Sequence, residues 1–91
     1  MSDYKSEYAV AFEIKIALEV SSFVLSEYRR YLRSQNISPD DEQNSDLVLY
    51  RKLAHLRKEI YNAKTMEDVK KIEDVFTGAR SHLKEIYEDA V

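Results

Sequence analysis

A chain of 91 residues with a single glycine, Gly78, and a single proline, Pro39, has few places to reverse direction. Short strands joined by tight turns need such residues again and again, because turns demand positive or fixed φ at defined positions. The scarcity predicts a small number of long helices. Cysteine is absent, so neither a disulfide framework nor a thiolate zinc site can staple the fold. Hydrophobic residues make up 44% of the chain and charged ones 34%, a globular balance too apolar for a disordered tail. A packed core must hold it, alone or with a second chain. One helical domain over residues 1–91 is expected at this length.

Apolar spacing places the helices. Thr65 offers a hydroxyl cap, and Glu67 and Asp68 put acids in a first turn where they meet the positive end of the dipole. Val69, Ile72, Phe76, Ala79, Leu83, Ile86 and Ala90 then recur at alternating steps of three and four, which predicts a third helix over 66–89. Upstream, Ser38-Pro39-Asp40-Asp41 reads as a helix start, with a further start available at Ser45 or Asp46. Leu49, Leu53, Leu56, Ile60 and Ala63 form one seam and Leu47, Tyr50, Ala54 and Tyr61 flank it, which predicts a second helix over 39–62. The short connection at 62–64 makes these two helices antiparallel neighbours, and the hairpin is expected to be the stable unit, with Leu53 and Leu83 at mid-seam.

The first third carries two seams. Phe12, Ile16, Val20, Phe23 and Tyr31 form one; Ile14, Leu18, Leu25, Tyr28 and Leu32 form the other, with Ser21 in its path. On a helix over 3–34 their centres lie roughly 150° apart. A helix apolar on nearly all sides is buried on nearly all sides. Two shorter helices are hard pressed to cover both seams, so one is expected to meet another chain. The second seam (Ile14, Leu18, Leu25, Tyr28, Leu32) is the candidate interface. Two alternatives stay open. Val10 to Val20 also alternate with period two, as a strand does, and Ser21-Ser22 is a place to split the helix, giving four helices instead of three.

Chemistry-bearing patterns are sparse. His55 with Glu59, and His82 with Glu85, each share a helix face, but His-x-x-Glu reverses the di-iron bundle motif and basic neighbours oppose a cation. Glu13 and Glu27 point into the apolar side of helix 1 as an acid pair, with no nucleophile, metal set or glycine loop beside them. Arg29, Arg30 and Arg33 interleave with Tyr28 and Tyr31, a pattern able to clamp phosphate and stack on bases. The same cations also favour a helix C-terminus without any ligand. Seven tyrosines (Tyr4, Tyr8, Tyr28, Tyr31, Tyr50, Tyr61 and Tyr87) suit an interface or the amphipathic edge of a small core.

No catalytic residue, metal site or cofactor is expected. The formal charge of −3 disfavours general binding to nucleic acid or anionic membrane. No apolar run approaches the roughly 18–20 residues of a membrane span, and the N-terminus lacks a basic start, so a cytoplasmic location is expected. The expectation is an all-α bundle acting as a non-enzymatic protein-interaction or regulatory module, as a homodimer or as a subunit of a larger assembly. The alternative is a nucleic-acid-associated regulator using Arg29, Arg30 and Arg33.

Overall fold

The computed structural model describes residues 2–89, with side-chain surroundings for residues 7–88. Ala90, assigned above to the third helical seam, and the side chain of Tyr4 lie outside the described residues. Three helices follow one another: α1 over Ser2–Ser34, α2 over Ser45–Glu59 continued by a 3-10 turn at Ile60–Asn62, and α3 over Met66–Asp89. The described residues contain no strand.

α1 runs unbroken through both places where alternatives stood open. The period-two alternation over 10–20 resolves into two helical rows. Val10, Ile14 and Leu18 pack against the core, whereas Phe12 stands in water. At Ser21-Ser22 no split occurs. Ser21 is fully buried, and its hydroxyl donates to the Leu18 carbonyl at 3.0 Å, so the helix interior holds it without an orphaned polar group. The helix ends in a Schellman motif. Asn36 adopts φ 55°, its N–H donates to the Arg33 carbonyl, and the Ile37 N–H donates to the Leu32 carbonyl. Ile37 packs back on the core beside that last turn.

The start of α2 departs from expectation. Helix does not begin at Ser38-Pro39; residues 39–43 form local turns and α2 starts at Ser45. Ser38 Oγ accepts from the Asp40 N–H and Asp41 Oδ1 from the Gln43 N–H, so side chains satisfy the backbone in place of helical bonds. Nothing apolar lies between Asp40 and Asn44 to gain from being helical. Asn44 is the cap instead, its Oδ1 accepting from the Leu47 N–H at 3.0 Å. α3 has the predicted bounds. The Asp68 N–H donates to Thr65 Oγ1 at 3.1 Å, and the Asp68 carboxylate accepts from the Lys64 N–H; the Thr65 hydroxyl chiefly, and then the Lys64 N–H, keep that carboxyl below its usual range.

Tertiary packing corrects the expected hairpin. α2 and α3 are antiparallel but touch each other sparingly, while both pack on α1. Contacts of α1 with α3 climb in register, from Glu13–Lys70 through Tyr28–Ala79 to Tyr31–Tyr87, so these two helices are parallel. Those with α2 descend, as Arg29–Tyr50 and Tyr31–Asp46 show. α1 is therefore the central element of an elongated, flattened bundle of 53 × 28 × 15 Å.

The core follows heptads on α1. Val10, Ala17, Val24 and Tyr31 recur every seven residues, as do Ile14, Ser21 and Tyr28, and Leu18, Leu25 and Leu32. Leu53 and Ile60 of the α2 segment and Val69, Phe76 and Leu83 of α3 complete it, all nearly free of solvent. Each such burial is worth about 1.5–3 kcal/mol. Leu53 and Leu83 are thus core residues, as their mid-seam positions predict.

Candidate partner-binding surface

The five residues expected to form an interface on α1 occupy the interior of this chain. Leu25, Tyr28 and Leu32 are buried, and Ile14 and Leu18 pack against the same core half-covered. The reason is α1's central position: its second seam is covered by α2 and α3 themselves. Tyr28 is the extreme case, with its hydroxyl donating to the Ala79 carbonyl of α3 at 2.8 Å. Burial raises its phenol above the usual range.

The first seam divides: Val20 packs against the core and Ile16 is half-buried, while its two phenylalanines stand in water. Phe12 is 56% exposed and Phe23 is 51%, and Tyr8, one turn before Phe12, is 73%. At 100° per residue the three fall within about 60° of one another, roughly opposite the core row of the same helix. Tyr31, counted with that seam, turns inward, donating to Asp46 Oδ2 at 3.4 Å and meeting Tyr87 edge to face at 5.9 Å. The exposed stripe continues onto α3 at one point. The Arg80 guanidinium lies over the Phe23 ring, 5.3 Å from its centroid, a cation–π contact that holds the charge against an exposed aromatic. Below it a groove of about 360 Å³ is lined by Glu27, Thr77, Arg80, Ser81 and Lys84.

Three exposed aromatic rings thus share one face of α1. Sequence periodicity did reveal this seam; what it lacked was a means of telling which of two seams the other helices would take. Tyr8 was visible only as one of many tyrosines. Of the remaining tyrosines, Tyr61 and Tyr87 are exposed and Tyr50 is half-buried.

The arginine cluster is not one unit. Arg29 Nε donates to the Tyr50 hydroxyl at 3.2 Å, which ties it to α2, whereas Arg30 and Arg33 project into solvent. Tyr28 and Tyr31, the proposed stacking partners, are buried. His55 and His82 are exposed, and no group of three or more metal-ligating side chains occurs among the described residues. The acids of α1 do not pair with each other. Glu27 lines the groove below Phe23, while Glu13 meets α3, where its carboxylate lies 3.4 Å from Lys70 Nζ, one turn from Glu73. Glu73 went unnoticed in the sequence because it follows a seam residue, Ile72, among other charged residues.

The fold and its exposed face define a small all-α bundle with three aromatic rings on the outer side of its central helix. A family model described as bacterial epsilon antitoxin matches residues 6–86, nearly the whole chain, and the protein belongs to that family. Membership makes it a small regulatory antitoxin that interacts with a partner protein, the toxin. No match was found among curated proteins or among solved structures. No helix of the described residues is long and apolar enough to cross a membrane.

Proposed function

We propose that this protein is a non-enzymatic cytoplasmic antitoxin that holds its toxin through the outward face of α1, with Tyr8, Phe12 and Phe23 as the anchoring side chains. The observation that carries this reading is their shared exposure on the face of α1 turned away from its own core. Large rings with few rotatable bonds give much buried area at little entropic cost, and such residues dominate binding energy at protein interfaces. The alternating charges of Lys15, Glu19 and Arg80 around the rings supply a polar rim.

The same face would also suit a second copy of the chain, and self-association remains the competing use of it. One experiment separates the two. Phe12→Glu and Phe23→Glu are combined, which leaves the core untouched, and both affinity for the cognate toxin and mass in solution are measured. Two anchors of about 2 kcal/mol each correspond to a loss of roughly a thousandfold in affinity. Unchanged toxin affinity in a folded double variant refutes the assignment. A fall in mass of the free protein together with unchanged toxin binding assigns the face to a homodimer. The nucleic-acid alternative draws no support from the geometry, since its aromatic partners are buried and Arg29 is engaged by Tyr50.

A further inference from the structure

Across the seam between α1 and α3, two acids meet over one lysine. The Glu13 side chain is only 16% exposed, and its Oε1 lies 3.4 Å from the ammonium of Lys70. Glu73, one turn along α3 from Lys70, has its Oε1 buried with no donor of the protein directed at it. Because Glu73 follows Lys70 by one turn of α3, it borders the Glu13–Lys70 pair, and its buried Oε1 finds no donor there. An ionised carboxylate only accepts, so a hydrogen bond between the two acids requires that one of them carry a proton. The charges lead to the same arrangement. With Glu13 ionised, Lys70 charged and Glu73 protonated, the cluster is neutral. With both acids ionised it carries an uncompensated negative charge in a half-buried seam, with Asp74 adding to the repulsion.

We propose that Glu13 and Glu73 share one proton, and that this proton is a latch fastening the N-terminal half of α1 to α3. The inference concerns the free chain and does not rest on the toxin-binding assignment. It does bear on it: Glu13 is the neighbour of Phe12, so a change in the seating of this half of α1 moves the aromatic face. The charged groups acting on Glu73 are Glu13 from α1 and Lys70 and Asp74 from its own helix.

Burial, reinforced by the hydrogen bond and the charge of Glu13, raises the Glu73 carboxyl from 4.5 to about 7. Glu13 moves the other way, lowered chiefly by its hydrogen bond with Glu73 and further by Lys70. Between pH 4.5 and about 7 the folded chain therefore keeps a proton that the unfolded chain has released. The stability from that proton is complete below pH 4.5 and is lost as pH rises through about 7. The Glu13 contribution has the opposite sign, being present above its unfolded value and lost in acid. From pH 6 to pH 8 only Glu73 of the two titrates, and the folding equilibrium constant should fall about tenfold.

The test is urea unfolding of the full chain at pH 6 and pH 8. Wild type should lose about tenfold in folding constant over that interval. Glu73→Gln, which holds the neutral form permanently, should be flat. A His55→Asn, His82→Asn double variant should behave as wild type, since both histidines are exposed and outside the seam. A flat wild type, or Glu73→Gln with the wild-type slope, overturns the proposal, as does a slope abolished by the histidine variant. Should Glu73→Gln not fold, carbon-13 NMR titration of the wild-type carboxyls decides. A glutamate titrating near 7 supports the latch, and all glutamates titrating below about 5.5 refutes it.

Discussion

Tyr28 joins the central helix to α3 through both its ring and its hydroxyl, and the two contributions can be separated. The residue is 0% exposed, and its hydroxyl reaches the Ala79 carbonyl at 2.8 Å. Burial keeps the phenol protonated well past neutral pH, so it remains a donor throughout the range in which the protein is studied. Tyr28→Phe keeps the ring and removes only the hydrogen bond. Ala79 lies inside α3, so its carbonyl also takes the amide four residues on and is not orphaned by the change. The cost is then the net value of a buried hydrogen bond, about 0.5–1.5 kcal/mol. In a domain of this size each kcal/mol lowers the melting temperature by about 4–8 °C. Tyr28→Ala removes the ring as well and should cost about 3–5 kcal/mol, much of the roughly 5–15 kcal/mol a domain possesses. Urea unfolding followed by circular dichroism measures both, with the midpoint moving at constant slope. A Tyr28→Phe protein as stable as wild type would show that the hydroxyl contributes nothing. A Tyr28→Ala protein losing less than about 1 kcal/mol would remove Tyr28 from the centre of the core.

Gly78 sits exposed inside α3 without positive φ, and a Cβ there would meet nothing within 4 Å, so Gly78→Ala should stabilise the protein by up to about 1 kcal/mol. A destabilised variant in the same unfolding assay would mean that the position serves something other than the free fold. Leu18→Glu combined with Leu25→Glu should unfold the chain and not release folded protomers, because Leu25 is buried within it and Leu18 packs on the same core. Helicity by circular dichroism, read beside sedimentation, checks this; a folded, lighter species would return that seam to the surface.

Much of the fold is legible in local pattern. α3 shows a cap, first-turn acids and a single unbroken seam in 24 residues, and its bounds follow from these alone. Such features act within a few residues of one another, so they need no partner to be read. The false start at Ser38-Pro39 shows the limit of that reasoning: a good helix start competes with turns made by Ser38 and Asp41, and the apolar content downstream decides. The two seams of α1 were also present in the sequence. Which of their residues stay in water could not be read there. Both seams are apolar, both have helical spacing, and a helix carries no mark of which neighbour will lie on which side. That choice belongs to the placement of α2 and α3 on α1, which buries Leu25, Tyr28 and Leu32 and leaves Phe12 and Phe23 outside. The proton-sharing pair is of the same kind. Glu13 and Glu73 are sixty residues apart, and only the parallel register of α1 and α3 brings their carboxyl groups together.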